Sequence, residues 1–163
     1  MQLHLVAVGR LRPCFREACD DYLRRLRRYL AVTEVEVREA AREPTAEAQR
    51  EEEAIRLRAK VPLGAATVAL AREGRGWTSP ELAQTVEQWR LAARPVAILL
   101  GGSQGLAPGL IAAAGARWSL GPLTLPHELA RVVVAEQLYR AMTILRGEPY
   151  HKGSRAPRPL TPP

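Results

Sequence analysis

The stretch PVAILLGG, residues 95–102, is the most hydrophobic run of the chain and the best guide to its fold. A short apolar run that ends in glycines is typical of a strand buried on both faces. Three earlier segments have a similar apolar or alternating pattern, and a fourth follows. They are LHLVAVG (residues 3–9), TEVEVREA (33–40), AATVALA (65–71) and a segment near 117–125. The sequence therefore predicts five strands.

The segments between these strands are predicted to be helical. Residues 15–30 follow a period of 3.6, with apolar side chains on one face and arginines on the other. Residues 44–60 predict a solvated helix, and TSPEL (78–82) has the cap, proline and glutamate of a helix start. A short helix is expected around 110–114 and a final one over 126–145. Since strands and helices alternate, we predict an α/β fold with a mostly parallel sheet and helices on both faces.

Composition limits the class of protein. The 163 residues carry a net charge of +7, so polyanionic partners are favoured. Only Lys60 and Lys152 are lysine, and the excess of arginine reflects either phosphate recognition or compositional bias. Cys14 and Cys19 fit neither a zinc spacing nor a disulfide framework. We expect a cytoplasmic protein with no signal peptide or membrane span, in which one domain (1–152) precedes a flexible Pro-rich tail (153–163).

The segment PHELAR, residues 126–131, resembles the beginning of a zinc-binding HExxH motif. That motif needs a second histidine at i+4, where this chain has Arg131, and a guanidinium has no lone pair for a metal. Pro126 and Glu128 instead suit the first turn of a helix. We therefore predict no metal site, and we interpret PHELAR as a helix start.

The final helix is apolar around most of its circumference, apart from a narrow strip with Glu136 and Arg140 at i and i+4. A helix of this kind is buried on more than one side. A domain this small has little else that could cover its second side, so we predict a symmetric homodimer. In a parallel sheet, ligands bind at the carboxyl ends of the strands. Three loops are expected there, after Leu70, after Leu100 and before Pro126.

Four segments together resemble the RlmH family of SPOUT-class ribosomal RNA methyltransferases. They are LVAVGRLR, ILLGGSQGLAP, RWSLGPLTLPHELARVVVAEQLYRA and EPYHK, and the likeness covers about residues 1–152. The resemblance implies a homodimer whose C-terminal part forms a trefoil knot. It also implies methyl transfer from S-adenosylmethionine to N3 of a pseudouridine in 23S ribosomal RNA, with the assembled ribosome as a possible substrate.

The resemblance also implies roles for particular residues. The cofactor would be bound by Leu70, Gly102, Gly121, Pro122, Leu123, Thr124, Leu125 and Pro126. The catalytic segment would comprise Tyr150, His151 and Lys152, with Arg140 reaching from the last helix. In one interpretation His151 is the base that accepts the imino proton, and in the other it contacts phosphate.

This chain departs from the family pattern in two places. Ala71 stands where many members have Asp, which puts a polar contact beside Leu70 in doubt, and eleven residues follow Lys152. Three alternatives stay open at this point. The glycines of GGSQG could serve only a strand-to-helix turn, the protein could be a non-catalytic RNA-binding or assembly factor, or it could methylate transfer RNA.

Overall fold

The computed structural model describes residues 1–151, and within this range five strands form one sheet. Every strand pair in it is parallel, which confirms the predicted α/β class. The order across the sheet is β2-β1-β4-β3-β5. The strands are β1 (Gln2–Val8), β2 (Ala31–Val37), β3 (Ala66–Gly76), β4 (Val96–Leu100) and β5 (Ala116–Ser119).

Five helices cover the two faces of the sheet, and each face has its own core. Residues of β1 alternate between them: Leu3 and Leu5 pack on one side, Val6 and Val8 on the other. The first side is covered by α1, α3 and α5, and the second by α2 and α4. The helices are α1 (Pro13–Leu26), α2 (Ala46–Arg58), α3 (Ser79–Leu91), α4 (Pro108–Ala113) and α5 (His127–Leu145), followed by a 3₁₀ turn at Pro149–His151.

The helix boundaries follow local capping chemistry. Thr78 accepts from the backbone N–H of Glu81, and the Glu81 carboxylate accepts from the backbone N–H of Thr78, which is the predicted start of α3. Thr45 caps α2 in a similar way, through the N–H of Ala48. Pro126 is the residue just before α5 rather than part of its first turn. PHELAR is therefore a helix start, as predicted.

Two strand predictions were wrong at their ends. The third strand was predicted over 65–71, but β3 continues to Gly76 after a bulge, and Arg75 and Gly76 pair with β5. Gly74 permits this approach, because a Cβ there would lie 2.7 Å from the carbonyl carbon of Trp118. The strand predicted over 117–125 stops at Ser119. Gly121 has φ of +117°, outside the β region, so the chain leaves the sheet and forms a loop.

Helix α5 lies between α1 and α3 on the sheet, and the chain itself buries most of its apolar circumference. The assumption that little else could cover this helix was therefore wrong. Leu129 and Val133 remain half-buried on its outer side, in line with Glu136 and Arg140. The homodimer and the trefoil knot both stay predictions. Among residues 1–151, no helix combines the length and apolar character that a membrane span requires.

Candidate active site at the carboxyl edge of the sheet

Three loops meet at the carboxyl edge of the sheet and enclose a cavity of about 760 Å³. Residues 70–73 come from the β3 bulge, residues 101–106 follow β4, and residues 119–127 connect β5 to α5. These are the three loops that the sequence predicted would converge. One cavity therefore joins segments that are far apart in the chain.

The structure brings together most of the residues proposed to bind the cofactor. Seven of the eight line this cavity: Leu70, Gly102, Gly121, Leu123, Thr124, Leu125 and Pro126. Pro122 is exposed in the same loop and does not line the cavity. Leu123 is 76% exposed, so its apolar side chain is accessible to solvent at the wall of the cavity. Their binding role remains a prediction.

The glycine loop after β4 is a tight turn whose shape depends on missing side chains. A Cβ on Gly101 would lie 2.4 Å from the carbonyl carbon of Gly105, and Gly105 has φ of +78°. A Cβ on Gly102 would lie 2.9 Å from Cγ1 of Val8. Packing within the chain therefore accounts for these glycines, as the turn interpretation proposed. The same backbone also forms one wall of the cavity.

Behind this turn lies a buried carboxylate that the sequence analysis did not identify. Glu53 is 1% exposed, and its Oε1 accepts hydrogen bonds from the backbone N–H of Ala40 at 3.0 Å and from Gln49 at 2.9 Å. Its Oε2 has no hydrogen-bond partner within residues 1–151. Glu53 shares a face of α2 with buried Leu57 at i+4, and this spacing was the signal that could have revealed it.

Arg131, which stands where the zinc motif would need its second histidine, is a buried structural residue. Its side chain is 1% exposed, and Nη2 donates to the carbonyls of Val8 and Gly9 at 2.8 Å each. Nη1 forms ion pairs with two carboxylates of β2, Glu36 at 2.7 Å and Glu34 at 3.3 Å. Arg131 therefore ties the first turns of α5 to the ends of β1 and β2. Residues 1–151 contain no cluster of three or more potential metal ligands.

A second contact fixes the start of α5. Glu128 accepts from the backbone N–H of Arg12 at 2.7 Å and from its Nε at 2.8 Å. The backbone hydrogen bond from Arg12 is the main cause that lowers the pKa of Glu128, and the guanidinium adds to it. The helix end that carries the cavity residues Pro126 and His127 is thus held by the β1–α1 loop.

The proposed catalytic residues lie elsewhere in the same chain. Arg140 is thirteen residues beyond His127 on α5, which corresponds to about 20 Å along the helix axis. Its guanidinium bonds Glu136 at 2.6 Å and stacks 4.9 Å from the centre of the Tyr150 ring. The side chain of His151, and Lys152 altogether, lie outside the described residues.

Tyr150 is part of this same cluster. Its hydroxyl donates to Glu136 at 3.0 Å. Burial, together with Tyr22 and Glu136, raises the pKa of the Tyr150 hydroxyl well above its ordinary value. Tyr150 therefore keeps its proton at neutral pH and acts as a hydrogen-bond donor and a packing group. Within one chain, neither Tyr150 nor Arg140 lines the cavity.

A parallel sheet with a cavity of this size at its carboxyl edge is the arrangement in which open α/β proteins bind their ligands. Residues 1–151 match a family model described as predicted SPOUT methyltransferase. The chain therefore belongs to the SPOUT methyltransferase family.

Individual relatives cover nearly the whole chain. A Rubrobacter xylanophilus protein called ribosomal RNA large subunit methyltransferase H is 53% identical over 152 residues, which are 90% of this chain and 96% of that protein. A protein of the same name from Pseudomonas paraeruginosa is 43% identical over 155 residues, 93% of this chain and 100% of the relative. The crystal structure of a probable methyltransferase from Bordetella pertussis has a TM-score of 0.53 at 19% identity, covering 86% of this chain and 95% of that one. The last similarity concerns the fold alone.

Proposed function

We propose that this protein transfers a methyl group from S-adenosylmethionine to N3 of a pseudouridine in 23S ribosomal RNA. The name that relatives at 43% and 53% identity carry supports the large ribosomal subunit as the source of the RNA. The resemblance of EPYHK and LTLPH to the RlmH family supports the nucleotide and the atom. The observation that carries the proposal is the single cavity formed by the three loops. A cytoplasmic location follows from such a substrate.

The cavity suits an adenosyl ligand. Its volume of about 760 Å³ lies in the range of ligand sites, roughly 300–1,000 Å³. Leu123 and Leu125 offer apolar contacts for a flat base, and the exposed turn residues 103–105 offer backbone groups for hydrogen bonds. When bound, S-adenosylmethionine supplies a methyl group that its sulfonium has already activated. The main task of the chain is then to align the attacking nitrogen.

The target nitrogen must also lose its proton. Its pKa lies about 2–3 units above neutral pH, and each unit corresponds to about 1.4 kcal/mol. A modest base is therefore sufficient, and we assign this role to His151, with phosphate contact as the alternative. Arg140 or Lys152 would stabilise the negative charge that develops on the neighbouring oxygen.

A catalytic role for these residues requires a second subunit, since Arg140 and Tyr150 lie at the far end of α5 from the cavity. A two-fold axis across the outer face of α5 pairs two copies of the helix in opposite directions. The C-terminal end of one helix then lies beside the cavity end of the other. Half-buried Leu129 and Val133 lie on this face and would be covered in such a homodimer.

The proposal is tested with labelled S-adenosylmethionine and two kinds of ribosomes, carrying either pseudouridine or uridine at the target position. We expect label in the pseudouridine-containing 23S RNA alone, and mass spectrometry of the nucleosides should locate the methyl group on N3. Free RNA and isolated large subunits in parallel reactions show which assembly state is the substrate.

The alternatives predict different results. No binding of S-adenosylmethionine in calorimetry would favour a non-catalytic RNA-binding protein. Label in transfer RNA would favour the second alternative. Either result contradicts the proposed function.

A further inference from the structure

The β3 bulge brings two oppositely charged side chains into the cavity. Neighbouring residues of a regular strand point to opposite faces. The register of β3 against β5 shifts between Leu70 and Arg75, and within this shift both Arg72 and Glu73 line the cavity. A bulge of this kind redirects side chains next to a site.

Charge in the cavity is concentrated at this bulge. Of the other residues that line it within the described chain, only His127 carries an ionisable side chain. His127 lies on the α5 side, where its Nε2 is 3.9 Å from Glu39. The remaining walls are built from leucines, glycines and uncharged polar residues, so the cavity has one charged end and a larger uncharged part.

Arg72 is oriented by a contact across the mouth of the cavity. Its Nη1 donates to Oγ1 of Thr124 at 3.2 Å, which links β3 to the β5–α5 loop. A guanidinium has five N–H donors, and this is the one hydrogen bond to its side chain within residues 1–151. Its other donors are available to a ligand.

We propose that Arg72 and Glu73 form the subsite for the α-amino carboxylate end of the cofactor. Arg72 binds the carboxylate through parallel N–H···O hydrogen bonds, and Glu73 pairs with the ammonium group. Thr124 positions the Arg72 guanidinium. The uncharged walls then face the adenosyl part of the ligand. This inference rests on the proposed function for the identity of the cofactor.

Two ligands that differ in this one end provide the test. S-adenosylhomocysteine carries the amino carboxylate, whereas 5′-methylthioadenosine has the adenosine and the thioether without it. Calorimetry measures both affinities for the native chain and for Arg72→Gln. We expect Arg72→Gln to weaken S-adenosylhomocysteine about tenfold or more, since a charged hydrogen-bonding partner is lost. The affinity for 5′-methylthioadenosine should stay within twofold.

Three further variants test separately the charge of Arg72, its positioning by Thr124 and the effect of losing a nearby arginine on the same strand. Arg72→Lys keeps the charge without the planar fork, so an intermediate loss for S-adenosylhomocysteine is expected. Thr124→Val should produce a smaller loss, again confined to the ligand with the amino carboxylate. Arg75→Gln is the matched control, because Arg75 lies on the same strand, pairs with Glu81 and does not line the cavity. It should leave both affinities unchanged.

The outcomes distinguish this subsite from the proposed function. If Arg72→Gln binds S-adenosylhomocysteine as well as the native chain does, or loses both ligands equally, the subsite assignment is wrong. If the native chain binds neither ligand, the proposed function itself fails. Binding of both ligands by the native chain, with a selective loss in Arg72→Gln, supports both.

Discussion

Gly101 shows how the absence of one side chain shapes the cavity. The backbone of Gly105 occupies the space where a Cβ on Gly101 would lie, at 2.4 Å from the carbonyl carbon. Backbone atoms cannot move aside as the end of a flexible side chain can. Any larger residue at position 101 must therefore open the turn, and the turn is a wall of the cavity.

We expect Gly101→Ala to lower the free energy of unfolding by about 1–3 kcal/mol, the usual cost of overpacking. S-adenosylhomocysteine binding should weaken as well, because the wall shifts. Gly109→Ala is the matched control, since a Cβ there meets nothing closer than 3.9 Å. Urea denaturation and calorimetry check both variants. A Gly101→Ala protein with native stability and affinity would contradict this account of the turn.

At the scale of elements, α5 connects the cavity to the rest of the sheet. Arg131 bonds the carbonyls that end β1 and the carboxylates of β2, and Glu128 bonds the loop before α1. Both contacts lie within the first five residues of the helix. The helix end beside the cavity is therefore anchored by polar contacts, and the remainder by packing against α1 and α3.

Replacing Arg131 by Met should destabilise the protein by about 1–3 kcal/mol, because the buried carbonyls of Val8 and Gly9 lose their donor. Glu34 and Glu36 lose Arg131 but keep their ion pairs with Arg16. Arg24→Met removes a surface arginine whose partner is Asp21, and its cost should stay below about 1 kcal/mol. Chemical denaturation of the two variants gives the comparison. Equal stabilities would show that the buried contacts of Arg131 contribute little to stability.

The hydrogen bonds between Glu128 and Arg12 predict that the stability of the protein depends on pH in the acidic range. The folded pKa of Glu128 lies below its ordinary value of 4.5, so its contribution is complete above pH 4.5 and is lost as the pH falls through the folded pKa. The native chain should therefore exceed Glu128→Gln in stability at pH 6, and the difference should narrow toward pH 3. Glu51→Gln, a change at an exposed carboxylate, serves as control. A difference that stays constant with pH would exclude this linkage.

The sequence predicted which strands and helices form better than it predicted where they begin and end. Apolar runs located the five strands, and periodicity, composition and capping residues located the five helices, because burial and helix ends each leave a local pattern. The continuation of β3 through residues 72–76 left no such pattern, since it depends on pairing with β5 and on the space at Gly74. The early end of β5 depends on the conformation of Gly121. Both features are set by tertiary contacts rather than by local composition.

The candidate site was predictable to a similar extent. Family resemblance and the rule for parallel sheets named the loops that line the cavity. Neither could indicate that Arg72 and Glu73 share one wall, because a regular strand would separate them. Periodicity also could not show that Arg140 lies far from the cavity in its own chain, since that distance follows from the direction of α5.

For the whole molecule, the distance between the cavity and the proposed catalytic residues predicts that two defective subunits of the proposed homodimer can complement each other. Leu123→Glu places a charge in the cavity at a residue that is 76% exposed, so the fold should tolerate it. Arg140→Ala removes a proposed catalytic group and leaves the cavity of its own chain intact. Each variant alone should have little activity.

If the proposed homodimer forms, mixing and subunit exchange give about half of the dimers one copy of each variant, and each such dimer has one complete site. We therefore expect the mixture to recover about a quarter of the native methylation rate. A cross-linked homodimer of each variant is the control, because exchange is then blocked. Activity that does not rise on mixing would argue against a site shared between subunits.

The anchors of α5 also determine when the protein becomes functional during its synthesis. Glu128 meets Arg12 across 116 positions of the chain, and Arg131 meets Val8 across 123. Contacts of such long sequence separation form slowly and late in folding. A nascent polypeptide that has just emerged as far as β4 already contains most of the sheet. It still lacks residues 119–127, the third of the segments that line the cavity. Ligand recognition therefore begins only after the ribosome has made almost the entire protein.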